Sequence, residues 1–324
     1  MKLHVTWNIL DSTKIEEYMS CPRKYFYRYI CGWTPDVSNE DFVFGSAYNA
    51  AQKVLLQKGY SLKAIAEAVE VAERIYREGF PMDETDHERA PNLPPGLDKV
   101  LLEYVNRFKD EDRYVKTLYT EIAGKVPIDM EKGWFLHFKM DSILFKESFG
   151  YMSRKHKTFS ANSKRIRNSL ELKFQIGTYN HVLYCIYPIE EVWGVEINAA
   201  VFTKSKGVEF ERILVRKPPR MMQVWLHQAN YYYGEHLKDV EKLMEKDWSD
   251  EDVLECFEMR PVSCTAYRGC PYIYFCVNWA NPCQYELDEP PPGFKVEFWD
   301  PTDSRKTVMF QTGQEKKGVS LRRP

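Results

Sequence analysis

Cys21 stands near the start of the chain in the run Cys21-Pro22-Arg23-Lys24-Tyr25, and Cys264, Cys270 and Cys276 follow far downstream with the spacing C-x5-C-x5-C. Four soft ligands split in this way can share one metal ion or iron–sulfur centre only if the fold brings both ends of the chain together. Spacing does not separate four thiolates on zinc from four on a cluster. The alternative is a set of buried thiols whose regular spacing is chance. Cys31, Cys185, Cys256 and Cys283 are left over. Cys283 could replace one late ligand, although the regular triplet argues against it, and Cys185, in an apolar helical run, reads as a small core residue.

With 324 residues the chain can hold one large domain or two ordinary ones. A net charge of -2 excludes a global nucleic-acid footprint, so any such surface is a local basic patch. The 21 Tyr and 8 Trp supply either stacking surfaces or a Tyr-rich core. No apolar run approaches the roughly 20 residues of a membrane span, and the start lacks a signal-peptide core. The expected location is therefore cytoplasmic, in a bacterium or host cell, without membrane contact. In that reducing compartment clustered cysteines more often mean metal or redox chemistry than disulfides.

Periodicity predicts one helix over 12–30, capped by Ser12 or Thr13, then helices over 44–57, 61–79 and 97–110. The four prolines of 81–96 mark a loop. Strands are expected at 116–123, 134–144, 149–157, 192–203 and 209–216, a helix at 169–186, and a long helix over 220–246 after Pro218-Pro219. Past Glu289-Pro290-Pro291-Pro292 the pattern fades. The organisation expected is a helical section (1–115), a mixed-sheet core (116–216), C-terminal helices with the cysteine triplet (217–289) and a weakly ordered tail (290–324).

The strand at 134–144 alternates: Leu136, Phe138 and Met140 face one way, His137, Lys139 and Asp141 the other. Lys155 and Lys157, two apart, share a face of the next strand. A continuous helix over 169–186 would align Glu171, Gln175 and Tyr179. A carboxylate, lysines and a Gln/Tyr pair can thus meet at one end of the sheet. The plain readings are a salt-bridged strand-end Asp141 and ordinary helix residues at Gln175 and Tyr179. For the basic stretch from Arg154-Lys155-His156-Lys157 through Lys164-Arg165-Ile166-Arg167, with Lys204 and Lys206 beyond, the plain reading is a solvated face. Tyr231-Tyr232-Tyr233 reads as helix packing.

Taken together these runs resemble the PD-(D/E)xK nuclease superfamily, in its RecB-like branch with a four-cysteine iron–sulfur cluster, which includes CRISPR-adaptation nucleases and phage exonucleases. The resemblance spans about residues 10–285. Cys21-Pro22-Arg23-Lys24 and the late triplet match the cluster motifs. Asp141 matches the metal-binding aspartate, Lys157 the motif lysine, and Gln175-Ile176-Gly177-Thr178-Tyr179 the QxxxY motif. The resemblance implies an α/β, restriction-endonuclease-like fold. In it a mixed central sheet is flanked by helices, and the cluster joins the N- and C-terminal parts. It also implies a 4Fe-4S cluster on Cys21, Cys264, Cys270 and Cys276, with zinc as the alternative. Asp141 would hold Mg²⁺ or Mn²⁺, Lys157 would stabilise the phosphate, and Gln175 and Tyr179 would orient substrate.

Two positions depart from the pattern. The histidine expected four residues after Gly45 is Asn49, and the acid expected two residues before Lys157 is Lys155. A Lys155 ammonium is expected to pair with Asp141 and take over part of the metal's space. Glu171, or less readily Glu121, could supply a migrated carboxylate. Two functions follow: metal-dependent DNA exonuclease or endonuclease chemistry on single strands or duplex ends, or a catalytically inactive nuclease fold acting by DNA binding or as an assembly partner. A zinc-stapled interaction module is a third. The implied partners are DNA and a protein of a recombination, repair or replication complex, in a phage or mobile-element setting. Lys155, Lys157, Lys164, Arg165 and Arg167 are the candidate DNA contacts.

Overall fold

A computed structural model describes residues 3–36, 39–82, 96–159, 164–203, 207–249, 251–265, 269–284, 289–303 and 308–311, with backbone alone at 164–167, 284 and 308–311. The chain folds into two compact units that interleave along the sequence instead of following one another as consecutive blocks. The first comprises Met1–Val37, Gly124–Phe138 and Pro219–Arg305, and the second Ser38–Ala123, Lys139–Pro218 and Lys306–Pro324. Among the described residues no helix is long and apolar enough to cross a membrane.

The first unit opens with α1 (Ser12–Ser20). Asp11, not Ser12 or Thr13, is its cap, accepting the Lys14 N–H at 2.8 Å. The helix expected over 12–30 breaks at Cys21, whose backbone is extended (φ -162°, ψ 109°) before Pro22 opens α2 (Pro22–Tyr25). The proline ring disfavours a helical residue in front of it, so Pro22 turns Cys21 out of the helix. A π-turn (Phe26–Ile30) and β1 (Trp33–Pro35) follow. Later come α8 (Pro219–Glu245), α9 (Ile273–Asn278) and β7 (Phe294–Val296). β7 pairs antiparallel with β1, Trp33 opposite Val296. Part of the expected tail is therefore built into the fold, and Trp299 also donates to Asp11 at 3.1 Å. Residues 304–307 and 312–324 lie outside the described residues.

Much of the tyrosine and tryptophan content is core here. Tyr25, Phe26 and Phe257 are fully buried around α2, and Trp33, Tyr27, Tyr272 and Phe275 form a second aromatic layer. Burying rings of this size is a large apolar contribution, and Tyr hydroxyls need partners. Tyr25 finds His236 Nε2 at 2.9 Å and Tyr272 donates to the Trp33 carbonyl at 2.6 Å.

In the second unit α3 (Glu40–Lys58), α4 (Leu62–Gly79) and α5 (Leu97–Asp112) precede β2 (Val115–Asp129) and β3 (Trp134–Lys146), of which the stretch Gly124–Phe138 belongs to the first unit, and then β4 (Gly150–Phe159). The unit continues with α6 (Lys164–Leu172), α7 (Phe174–Ile186), β5 (Val192–Thr203), β6 (Gly207–Val215) and the short β8 (Val308–Gln311). The sheet order is β6-β5-β4-β3-β2-β8. β3 runs antiparallel to β4, β4 parallel to β5, and β5 antiparallel to β6. The parallel pair needs a crossover, which α6 and α7 supply. Phe44, Tyr48, Ala68, Tyr76 and Tyr104 from α3–α5 pack with Ala200 and Phe202 of β5. The result is the expected mixed sheet with flanking helices.

Candidate functional site

β3 keeps its alternation: Leu136, Phe138 and Met140 are buried, while Lys139 is exposed and Asp141 half-buried. The β3–β4 register sets Ile143 opposite Ser153, and two residues further on this places 141 opposite 155. Lys155 Nζ stands 2.9 Å from Asp141 Oδ1, and the His156 N–H reaches Asp141 Oδ2 at 3.4 Å. The side chains of Lys155 and Asp141 retain only 16% and 25% exposure. Burial disfavours the Lys155 charge, but Tyr179 and Asp141 outweigh it and hold the ammonium above the ordinary lysine value. The expected ion pair is thus present, and its Lys155 partner stays an ammonium at any physiological pH.

Tyr179 is buried on α7 and donates to the Lys139 carbonyl at 2.7 Å, two residues from Asp141. Gln175 lies one turn earlier on the same helix, half-buried, and Lys157 is half-buried two residues past Lys155. Glu171 does not join them. The helix expected over 169–186 breaks at Lys173 (φ -58°, ψ 130°), so the alignment of Glu171 with Gln175 and Tyr179 is lost. No proline or glycine marks this break; buried Leu170 and Phe174 flank it, and packing overrides local propensity. Glu171 is exposed, and its carbonyl accepts from Lys217 Nζ at 2.6 Å. Cys185, expected in the core, is exposed instead, because α7 buries the stripe of Ile176, Tyr179, Val182 and Leu183.

Asn49 lies on α3, half-buried, and its Oδ1 has no hydrogen-bond partner among the described residues. One turn along the helix, Lys53 pairs with Glu121 of β2. Glu121 adopts a left-handed backbone (φ 50°), unusual for a residue with a side chain.

The basic stretch divides by strand period. Arg154 and His156 face away from Lys155 and are buried at 1% and 2% exposure, so neither belongs to a solvated face. Arg154 makes a two-pronged contact with Asp112 (2.9 and 3.1 Å) and also meets Glu196, while Arg212 grips the same Asp112. Burial opposes the Asp112 charge, yet the Arg154 and Arg212 guanidiniums prevail and pull its carboxyl down to about 2. Burial, then the Arg154, Lys155 and Arg212 charges, hold His156 neutral far below the usual imidazole range. This network escaped sequence reasoning because its members come from α5, β4, β5 and β6. The side chains of Lys164, Arg165 and Arg167, and all of Lys204 and Lys206, lie outside the described residues.

The cysteine set lies in the first unit. Around Cys21 the two chain ends are tied by hydrogen bonds. The Arg260 N–H approaches Cys21 Sγ at 3.4 Å, Ser263 Oγ donates to the Ser20 carbonyl at 2.8 Å, and Arg23 donates to the Phe257 and Leu254 carbonyls at 2.9 and 3.0 Å. The Cys270 N–H bonds the Cys264 carbonyl at 3.0 Å. Burial pushes the Cys276 thiol up to about 11; the nearby Arg23 charge opposes the rise, and Cys21, Cys270 and Cys264 add to it. Among the described residues, no three of His, Cys, Asp and Glu form a ready-made metal cage.

A profile of the PD-(D/E)XK nuclease superfamily matches residues 12–277. Among curated proteins none matches the sequence. A crystal structure from Eubacterium rectale, provisionally named an exonuclease, is similar at 12% identity, covering 78% of this chain and 91% of its own, with a TM-score of 0.49. The crystal structure of SSO0001 is similar at 13% identity over 85% and 94%, with a TM-score of 0.28. The profile spans well over half of the chain and agrees with the mixed sheet and its flanking helices: this protein belongs to the PD-(D/E)XK nuclease superfamily.

Proposed function

We propose that this chain is a DNA-processing protein of the RecB-like branch whose nuclease-like centre binds DNA without hydrolysing it. The observation that carries the reading is the ion pair between Lys155 and Asp141. A divalent metal at Asp141 needs a second anionic or imidazole ligand and room for water. Here an ammonium stands where the acid belongs, and Asn49 stands where the histidine belongs. These residues do not fit a catalytic Mg²⁺ or Mn²⁺. Lys155 and Lys157 set two cations against the one carboxylate of Asp141, and that net positive charge suits a phosphate instead, since lysine neutralises the backbone of any sequence.

For the cysteines the donor set fits a soft centre. Cys21, Cys264, Cys270 and Cys276 would hold a 4Fe-4S cluster, or zinc, and the bound group would brace the two chain ends already joined around Cys21. Such a group would supply the positive charge that lets these four cysteines stand as thiolates.

A second reading rests on Glu121, whose strained backbone is the kind of feature that gathers at working sites. If Glu121 leaves Lys53 to join Asp141, the chain is a live nuclease. Binding of single-stranded and blunt duplex DNA in EDTA separates these readings. Tight, salt-dependent binding without metal supports the non-hydrolytic function, and binding that requires Mn²⁺ overturns it.

A further inference from the structure

At the start of β2 in the second unit, Arg113, Tyr114, Val115 and Lys116 face Phe145, Lys146, Glu147 and Ser148 across a groove of about 540 Å³. That volume is in the range of small-ligand clefts, roughly 300–1,000 Å³. It lies four to five residues beyond Asp141 on β3, about 13–17 Å at the strand rise. It is therefore a different place from the ion pair.

Three features set this groove apart. First, its charge is not internally balanced. Among the described residues Arg113, Lys116 and Lys146 meet no carboxylate, whereas Lys53, Lys58 and Arg107 of the same unit each pair with a glutamate. Glu147 is the single acid in the lining.

Second, large rings stand open here: Tyr114 in the lining is 67% exposed, and Phe149, next along the chain from the lining residue Ser148, is 40% exposed. Third, those rings are held. Phe149 packs on Trp193 (centroids 4.5 Å apart) under Lys146, and Arg113 lies over Tyr114. The turn carrying Phe149 is fixed by a hydrogen bond from its N–H to the Lys146 carbonyl at 2.9 Å. Gly150 (φ +92°) closes the turn, where an added Cβ would fall 2.0 Å from the Glu191 carbonyl oxygen. Open, pre-oriented rings beside uncompensated cations match what a flexible polyanion with flat bases requires. A duplex hides its bases and would use only the charge.

We propose that this groove binds single-stranded DNA, its rings stacking bases and its three cations following the phosphates. The proposal deepens the DNA-binding reading above and rests on it. The test is fluorescence anisotropy of the full-length protein with labelled dT15, duplex DNA and U15 in EDTA, over a salt series. Wild type is expected to bind dT15. Arg113→Ala/Lys116→Ala/Lys146→Ala should weaken binding at least ten-fold and lower the log–log salt slope by about 2, from roughly 0.7 per phosphate on single strands. Tyr114→Ala should cost roughly five-fold or more.

Crosslinking with 5-iodouracil-substituted dT15 should map to 113–116 or 145–149, which locates the strand without relying on a variant's folding. Variants that bind dT15 like wild type, or crosslinks confined to Lys155, Lys157 and α7, overturn the groove while leaving DNA binding intact. Binding of duplex alone does the same, and tighter binding of U15 overturns the DNA assignment. Failure of wild type to bind either form of DNA removes the underlying reading as well.

Discussion

Exchanging Lys155 for glutamate turns the strongest attraction at the site into a repulsion. At 2.9 Å two unit charges interact by about 6 kcal/mol at an effective dielectric near 20. Solvation and side-chain relaxation return part of this, because both groups keep some exposure. The hydrogen-bonded charge pair itself is worth about 1.5–3 kcal/mol. We expect Lys155→Glu to lose about 3 kcal/mol in metal-free buffer. For a folding unit of 150–250 residues this is a fall in Tm of roughly 6–12 °C. Two adjacent carboxylates then make a divalent-cation site, and Mn²⁺ at a hundred times its Kd should return about 2.7 kcal/mol. Thermal denaturation in EDTA and in Mn²⁺, for wild type and variant, reads both effects. If Mn²⁺ stabilises the wild type as strongly as the variant, or if the variant melts like wild type in EDTA, Lys155 does not occupy the metal's place.

The other predictions concern the scaffold. Burial, then the Lys14 charge, holds His236 down to about 3, and His156 is also held well below 6.5. A lowered imidazole pKa means that the unfolded chain takes up the proton first. Stability is thus full above about pH 6.5 and falls with acid, by about 2 kcal/mol per histidine between pH 7 and 5. Urea midpoints across that range should drop, and His236→Gln should flatten the slope; an unchanged slope contradicts this. Asp112→Ala removes the carboxylate shared by Arg154 (1% exposed) and Arg212, leaves Glu196 as the acid that meets both guanidiniums, and should cost about 3–5 kcal/mol in urea unfolding, whereas a loss below 1 kcal/mol would show the network to be idle. Anaerobically purified protein should carry iron with a brown colour, or else zinc, and Cys21→Ser or Cys276→Ser should remove it. Metal content indifferent to both substitutions would exclude the cysteine site.

Elements with a strong period were legible from sequence. The alternation around Asp141 followed from period two, strand 192–203 from its nearly continuous apolar run, and the 97–110 helix from its apolar stripe. The Lys155–Asp141 contact was legible too, because an ammonium facing a carboxylate on the next strand has no better partner. What stayed hidden depends on distant residues. Arg154 looks like a surface cation until Asp112, Glu196 and Arg212 surround it. The break at Lys173 has no local signal, and it removed Glu171 from its expected row. β1 and β7 are separated by most of the chain, and three-residue strands leave no periodic trace. The strained Glu121 and the orphaned Asn49 Oδ1 are equally invisible without the backbone.

Cleavage of labelled single- and double-stranded DNA by the anaerobically purified protein in Mn²⁺ tests the central claim most directly. Asp141→Ala and the double variant Asn49→His/Lys155→Glu would run beside it. We predict no cleavage by the native protein and cleavage gained by the double variant. Cleavage by the native protein that disappears in Asp141→Ala would contradict the account and show a working nuclease with a relocated acid.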